Sequence, residues 1–208
     1  MKLAIIGASG WIGSHIAKEA QRRGHALRLL VRDPGKVQSD ATVVAFDLSA
    51  PDWSALQDVD VVIGAIGGRA QGNHSVVPES AQRLLQELPK LGVKRLVWVG
   101  GAGSLLTAEG GSLVESPRFP AEYRDEALAQ AQALEIFKAS QSPLTWTFIS
   151  PAAEIFPGET SGQYRVGQEQ LLTDSEGRSR ISVADYAYAL LDEVEQNRYR
   201  NQRIGVAY

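Results

Sequence analysis

Three glycines near the start of the chain, Gly7, Gly10 and Gly13, stand three residues apart. A short apolar run precedes them, and apolar residues at helical spacing follow, which predicts a strand, a tight turn and a helix. Gly7 permits a sharp turn, Gly10 leaves the backbone open to an approaching phosphate, and Gly13 lets the helix pack closely on the strand. Because the start of such a helix offers free N–H groups and a positive dipole end, the stretch predicts a nucleotide-binding site.

Apolar runs that predict strands alternate with helical patterns along the rest of the chain. The further predicted strands are residues 26–31, 42–46, 59–63, 95–99, 144–149 and 204–207, and the predicted helices are 76–91, 118–140 and one that begins after a capping box at Ser182. Several strands are almost wholly apolar, which is typical of a parallel sheet covered on both faces. We therefore expect a single α/β domain, a Rossmann-type doubly wound parallel sheet that binds ligands at the carboxyl ends of its strands.

The second predicted strand ends at Arg32-Asp33. In this fold that position lies beside the adenosine ribose, where an arginine pairs with a 2′-phosphate and an acidic residue accepts from a 2′-hydroxyl. Because Arg32 follows the apolar run directly, we expect NADP(H) to be preferred over NAD(H), with Lys36 adding positive charge. The alternatives are that Arg32 is a solvated loop residue and that Asp33 only caps the next turn.

The third and fourth predicted strands end in further candidates for cofactor binding. Asp47 is placed to accept from the adenine amino group, with Leu48 against the ring, although a turn aspartate is an equal alternative. Ala65, Ile66 and Gly67 are small or apolar residues that let the backbone approach a cofactor. A glycine-rich loop also exists without any ligand.

The fifth predicted strand ends in Gly100-Gly101, beside the expected nicotinamide site. Ser104 is then placed to hydrogen-bond a carboxamide or a substrate oxygen, or is a plain loop serine. The following segment, residues 107–120, contains two adjacent glycines and two prolines and is the predicted lid of the acceptor pocket.

Composition limits the function classes. A length of 208 residues favours one domain, and a net charge of −3 gives no reason to expect nucleic acid or an acidic membrane as a partner. The absence of cysteine excludes disulfides, thiolate chemistry and zinc–thiolate sites. No apolar run approaches the roughly 20 residues of a membrane span, and the start has no signal-peptide pattern, so we expect a cytoplasmic protein, monomeric or homodimeric.

Several motifs together resemble the atypical short-chain dehydrogenases, in particular the group of NAD(P)H-binding NADH-flavin reductases, which is similar to biliverdin reductase B and to NmrA-like proteins. These motifs are Gly7-x-x-Gly10-x-x-Gly13, Val31-Arg-Asp-Pro34, Val99-Gly-Gly-Ala-Gly-Ser-Leu105, and the stretches 150–158, 162–165 and 181–187. The first motif is shared by many dehydrogenases, and the later ones are more specific. The resemblance covers nearly the whole chain.

The resemblance implies a Rossmann core that carries NADPH or NADH and transfers a hydride to a flavin, a quinone-like compound or a similar small-molecule acceptor. It assigns Arg32 to the ribose phosphate, and Pro151 and Ala152 to the surface under the nicotinamide. The residues that it places along the pyrophosphate are Ser9, Gly10, Trp11 and Ile12.

The chain departs from most short-chain dehydrogenases in one respect. They use a Tyr-x-x-x-Lys pair for proton transfer, and here no tyrosine is followed by lysine four residues later. Tyr123 is the nearest candidate, with Ala127 where its lysine should stand, so Tyr123 and Ser104 are the candidate catalytic residues. Flavin reduction can proceed without the pair, by proximity and with protons from water.

The missing pair leaves three hypotheses: a flavin or quinone reductase, a non-catalytic NAD(P)-binding redox sensor of the NmrA type, and a nucleotide-sugar epimerase or dehydratase. The missing pair and the short C-terminal part count against the last. His74, in a glycine-rich loop near the expected site, is a candidate proton donor, whereas His25 is expected to face solvent. Residues 192–203 predict a solvated helix end, and Tyr164-Arg165 either faces the acceptor or belongs to a small hairpin.

Overall fold

The computed structural model describes all 208 residues of the chain, which form ten strands and four α-helices. The strands are β1 (Lys2–Ile6), β2 (Ala26–Val31), β3 (Thr42–Ala45), β4 (Val61–Gly64), β5 (Arg95–Val99), β6 (Thr145–Ser150), β7 (Glu154–Phe156), β8 (Arg165–Gly167), β9 (Arg180–Ser182) and β10 (Gln202–Ala207). The helices are α1 (Trp11–Arg22), α2 (Val76–Glu87), α3 (Ala121–Ala139) and α4 (Val183–Gln196).

Eight strands form one sheet in the order β3-β2-β1-β4-β5-β6-β10-β8, in which only β8 is antiparallel to its neighbour. The strands β7 and β9 form a separate two-stranded parallel sheet. The order reverses between β1 and β4, and an open sheet of this kind binds its ligands beyond the carboxyl ends of the strands at that reversal. The predicted Rossmann-type doubly wound fold is confirmed.

Helices cover both faces of the sheet, so the molecule has two hydrophobic cores. The pairs α1–α4 and α2–α3 pack side by side on opposite faces. Along β5, Val97 and Val99 belong to the core under α1 and α4, whereas Leu96 and Trp98 belong to the other core. Because side chains alternate between two buried faces, apolar residues stand at consecutive positions in the central strands, as in residues 96–99 of β5.

Local chemistry explains where the structure differs from the predicted elements. The helix predicted for 76–91 is α-helical only to Glu87 and ends in a tighter 3₁₀ turn, Leu88–Leu91. Pro89 stands in that turn and cannot donate to the α-helical ladder, and Gly92 closes it with a φ of +79°. The strands β7, β8 and β9 have three residues each, which is too short for a periodicity to show.

The expectation of a solvated helix end at residues 192–203 holds only in part, since α4 ends there at Gln196 but some of the charged residues are buried. Glu193 and Arg95 are almost fully buried, and Arg95 Nη2 donates to Glu193 Oε1 at 2.7 Å. Arg203 lies on β10, is also buried and pairs with Glu169. Charged side chains are buried when they are paired, and these partners stand far away in the sequence, where a local pattern cannot reveal them.

Candidate functional site

The site begins at the reversal point of the sheet, where β1, β4 and α1 meet too closely for side chains. Gly7 has a φ of +81°, and a Cβ there would lie 2.1 Å from the carbonyl oxygen of Ala65 at the end of β4. A Cβ on Gly13 would lie 2.2 Å from the carbonyl oxygen of Gly7. Glycine at these two positions is therefore required by the backbone itself, as the spacing predicted.

The first turn of α1 is open to a ligand. Its N-cap is Gly10, which supplies no side-chain cap, and the turn contains no acidic residue. The amide groups of Trp11, Ile12 and Gly13 donate to no atom of the protein. Ser9, Gly10 and Trp11 are exposed beside them. Free N–H groups at the positive end of a helix fit a pyrophosphate, so the residues present fit a bound dinucleotide.

Two charged residues follow β2: the carboxylate of Asp33 has partners within the protein, and the guanidinium of Arg32 has none. Asp33 caps the following turn by accepting from Gly35 N at 3.2 Å, and it pairs with Lys36 Nζ at 3.2 Å. The predicted alternative for Asp33 is thus the arrangement that the structure shows. Arg32 is exposed, and its guanidinium makes no ion pair or hydrogen bond.

The end of β3 holds Asp47 in a turn of its own. Its Oδ1 accepts from Ser49 N at 2.9 Å and from Ser49 Oγ at 2.8 Å. The backbone bond first, and then the side-chain bond, hold the pKa of Asp47 below its ordinary value. Leu48 packs at the margin of the α2–α3 core, and its carbonyl accepts from Arg83. Contact of Asp47 and Leu48 with adenine stays a prediction.

The glycines after β5 are explained by packing within the protein. A Cβ on Gly100 would lie 2.0 Å from Phe148 Cε1, and one on Gly101 would lie 3.0 Å from Gln130 Cβ on α3. The ring of Phe148 on β6 leaves no room for a side chain at residue 100, and Gln130 on α3 leaves little at residue 101. These glycines need no ligand to account for them, and their contact with a cofactor stays a prediction.

The segment that follows β4 is hydrogen-bonded to β1 on one side and to α3 on the other. Ala65 N donates to Ile6 O at 2.9 Å, and Ile66 is buried with its carbonyl accepting from Gln130 Nε2 at 3.0 Å. A Cβ on Gly67 would lie 3.1 Å from Glu126 Oε1. The α3 residues Glu126 and Gln130, four positions apart, therefore both face the end of β4.

Glu126 forms a pair that sequence reasoning did not find. Its Oε2 lies 2.7 Å from His74 Nδ1 and also accepts from Gly68 N at 3.0 Å. His74 Nε2 has no partner in the protein. The two side chains are partly exposed at the carboxyl edge of the sheet. His74 alone is visible in the sequence, but its partner stands 52 residues later, so no local spacing signals the pair.

The two candidate catalytic residues have different partners. The ring of Tyr123 is half exposed and lies 4.2 Å from the Cζ of Arg69, which follows β4. Ser104 Oγ accepts from Nη1 of Arg203 on β10 at 3.2 Å. Ser104 thus contacts β10, whereas Tyr123 contacts the segment after β4. A catalytic role for either stays a prediction.

The end of β6 adds a hydroxyl that the sequence did not single out. Pro151 and Ala152 are buried there, and their contact with a nicotinamide stays a prediction. The adjacent Ser150 is fully buried, and its Oγ has no hydrogen-bond partner. A buried hydroxyl without a partner is rare in proteins, and this one lies one residue from the predicted nicotinamide surface.

Tyr164 and Arg165 are held by hydrogen bonds within the protein, and Arg165 begins a strand that pairs with β10 and not a hairpin. Tyr164 OH donates to Asp192 on α4 at 2.5 Å, and Arg165 binds the carbonyls of Thr173 and Tyr208. Arg165 begins β8, which pairs with β10 at the edge of the sheet. The segment is thus held by the C-terminal part of the chain.

Comparisons with known proteins agree with this geometry. The model of the family described as NAD(P)H-binding matches residues 7–194, so the chain belongs to that family. The uncharacterized protein YwnB of Bacillus subtilis is 38% identical and is aligned over 99% of this chain and 98% of its own length.

Two crystal structures share the fold over essentially their whole length. A protein of Burkholderia pseudomallei, provisionally named an exported protein, is 44% identical with a TM-score of 0.90, and each chain is covered to 100%. A protein of Streptococcus pneumoniae, provisionally named an NADH-flavin reductase, is 36% identical with a TM-score of 0.90, covering 100% of this chain and 99% of that one. The predicted family resemblance is confirmed. None of the helices is both long and apolar enough to cross a membrane, and location in the cytoplasm stays a prediction.

Proposed function

We propose that the protein is an NAD(P)H-dependent reductase that passes a hydride to a flavin or quinone-like acceptor. The observation that carries the proposal is the open first turn of α1 at the reversal point, where three amide groups have no partner in the protein. The pneumococcal relative named for NADH-flavin reduction supports the choice of acceptor class. Residues Gly7 to Gly13 would hold the pyrophosphate.

We infer a preference for NADPH over NADH from the end of β2. The carboxylate of Asp33, which could accept from the 2′-hydroxyl of NADH, already accepts from Gly35 N and pairs with Lys36. The unpaired guanidinium of Arg32 is the group that a 2′-phosphate would meet.

Hydride transfer to a flavin requires little from the protein beyond positioning the dinucleotide and the acceptor. The bound dinucleotide would supply a hydride, which is two electrons and one proton, and full reduction of a flavin takes up one further proton. The α3 face toward the site carries Glu126, Ala127 and Gln130 and no lysine, so it cannot lower the pKa of a tyrosine as a Tyr-x-x-x-Lys pair does. His74, oriented by Glu126, is the proposed source of that proton.

A non-catalytic redox sensor is the second candidate, because a site without the tyrosine–lysine pair suits binding without turnover as well. A nucleotide-sugar epimerase or dehydratase is disfavoured, since such enzymes move a proton at an alcohol carbon and rely on that pair.

The deciding experiment measures oxidation of NADPH and NADH at 340 nm with FMN, riboflavin and a small quinone, beside calorimetric titrations of both dinucleotides. Steady turnover with NADPH preferred is the expected result. Tight binding without turnover of any acceptor would replace the reductase by the sensor, and no binding of either dinucleotide would overturn both.

A further inference from the structure

A cavity of about 530 Å³ opens beside the predicted nicotinamide surface. One wall is the segment 113–120, which follows β5 and is fastened to its end by Val114 N donating to Gly103 O at 2.8 Å. The opposite wall is formed by Ala153 and Glu154, which follow β6, and by residues 178–180. The predicted lid is thus a fixed wall of a cavity at the carboxyl edge of the sheet.

The cavity collects three arginines, Arg118, Arg178 and Arg180, from separate segments. Arg178 pairs with Asp174 at 2.9 Å, and Arg180 pairs with Glu154 at 2.8 Å. Arg118 is different, because its guanidinium makes no ion pair and no hydrogen bond, and only its backbone N–H is engaged, by Ser116 Oγ. The cavity therefore presents one uncommitted cation beside an aromatic ring, Phe119.

A second cavity of similar volume, about 520 Å³, allows a comparison of the charged groups that line the two cavities. It lies at the amino edge of the sheet, and its charged side chains are Lys2, Asp58 and Asp60. Lys2 N there donates to Asp60 Oδ2 at 2.7 Å. At the acceptor-side cavity Arg178 pairs with Glu176 at 3.1 Å as well as with Asp174, so Arg118 is the cation there that has no partner.

We propose that this cavity receives the phosphate-bearing arm of the acceptor, so that the enzyme prefers FMN to riboflavin and Arg118 recognises the phosphate. The inference rests on the proposed reductase function and narrows its substrate class to anionic flavins. Pairing the guanidinium of Arg118 with a ligand costs little free energy, because no hydrogen bond or ion pair within the protein must break first. Phe119 would pack against the uncharged part of the arm.

The test compares FMN with riboflavin, two acceptors with the same ring that differ only in the phosphate, at saturating NADPH. The wild type is expected to show a kcat/KM for FMN roughly tenfold above that for riboflavin. Arg118→Ala removes most of that preference and leaves riboflavin within about twofold, and Arg118→Lys retains part of it. Arg198→Ala is the matched control, because Arg198 is also exposed without a side-chain partner but lies after α4, at the other edge of the sheet.

Two results would overturn the proposal: equal kcat/KM for the two flavins in the wild type, or an equal loss for both in Arg118→Ala. Failure of the reductase function is recognised separately, by the absence of turnover with every acceptor. In that case quenching of flavin fluorescence in the presence of NADP⁺ decides: tighter binding of FMN that Arg118→Ala abolishes supports the cavity, and equal or absent binding refutes it.

Discussion

The helices α1 and α4 pack side by side on the same face of the sheet and begin at the same edge, but their first turns are built in opposite ways. In α1 the N-cap is a glycine, and no acidic residue follows it. In α4 the N-cap Ser182 accepts from Asp185 N at 3.0 Å, and Asp185 adds a carboxylate to the first turn.

Asp185 is fully occupied by the protein itself. Its carboxylate accepts from Ser161 N at 2.9 Å, from Gly162 N at 2.8 Å and from the hydroxyl of the C-terminal Tyr208 at 2.6 Å. The carboxylate of Asp185 thereby neutralises the positive end of α4. It also holds the 157–165 segment and the C-terminus against the start of this helix. A helix start can thus either stabilise the fold or remain free for a ligand; the start of α4 does the first, and we propose that the start of α1 does the second.

Giving α1 the kind of start that α4 has should produce the largest effect on binding. In Gly10→Asp the new carboxylate can accept from the free amides of the first turn and repel a pyrophosphate, so the Kd for NADPH should rise about 100-fold, or about 2.7 kcal/mol. The backbone of Gly10, with φ −73° and ψ 165°, suits an aspartate N-cap, so the melting temperature should not fall. Calorimetric titration and thermal unfolding measure the two quantities.

Gly10→Ala is the control, because it adds a Cβ, 3.2 Å from the Gly7 carbonyl oxygen, without a charge. It should weaken NADPH binding by less than about tenfold, since alanine cannot cap the turn. If Gly10→Asp bound NADPH as the wild type does, the first turn of α1 would not be the pyrophosphate site.

The opposite change removes the charge that closes α4. Asp185→Asn should lower the free energy of unfolding by about 2 kcal/mol, because an amide cannot accept from all of the donors that now surround the carboxylate. The affinity for NADPH should stay within about twofold. Urea denaturation tests the first statement, and Asp40→Asn, an exposed aspartate with no partner, is the control that should change stability by less than about 0.5 kcal/mol.

The difference in the free energy of unfolding between the wild type and Asp185→Asn should depend on pH. Burial raises the pKa of Asp185, but the hydrogen bonds from Tyr208, Ser161 and Gly162 outweigh burial and hold that pKa below its ordinary value. A carboxylate with a lowered pKa stabilises the folded state above its pKa in the unfolded chain, about 3.9, and loses that contribution as the pH falls further. The gap between wild type and Asp185→Asn should therefore narrow below about pH 4, and a gap independent of pH would contradict this role.

Local sequence information was sufficient for the first of these helices and insufficient for the second. The three-residue spacing of Gly7, Gly10 and Gly13 predicts the strand, turn and helix because all the interacting atoms lie within a few residues. The capping residue Ser182 was also visible in the sequence. The partners of Asp185 were not, because Tyr208 reaches it from 23 residues away through the fold.

The same division holds for the rest of the site. Strand ends identify residues such as Arg32 and Pro151, since the doubly wound fold places every strand end at one edge. Which side chains remain free is decided by tertiary contacts. The sequence could not show that Asp33 is engaged, that Glu126 orients His74, or that Arg203 on β10 binds Ser104.

A smaller effect is expected at the ribose end of the site. Arg32→Ala should raise the Kd for NADPH about tenfold and leave that for NADH within about twofold, because only NADPH carries the 2′-phosphate. Lys36→Ala is the control, since Lys36 is already paired with Asp33 at 3.2 Å. Equal losses for both dinucleotides in Arg32→Ala would show that Arg32 does not distinguish them.

The smallest effect is expected for His74, because water can donate a proton in its place. His74→Asn should lower kcat with FMN about fivefold, because solvent then supplies the proton less efficiently than a positioned side chain. The chain offers a matched control in His25, whose Nε2 lies 2.8 Å from Glu195 Oε1 at the amino edge of the sheet. The side chain of His25 is only 9% exposed, contrary to the expectation that it faces solvent.

His25→Asn should therefore reduce stability and leave kcat unchanged. The two histidine–glutamate pairs differ mainly in the edge of the sheet at which they stand, so a difference between the variants reports position relative to the dinucleotide. An unchanged kcat in His74→Asn would assign the proton to water alone, and the pair of His74 with Glu126 would then serve only to hold α3 against the loop after β4.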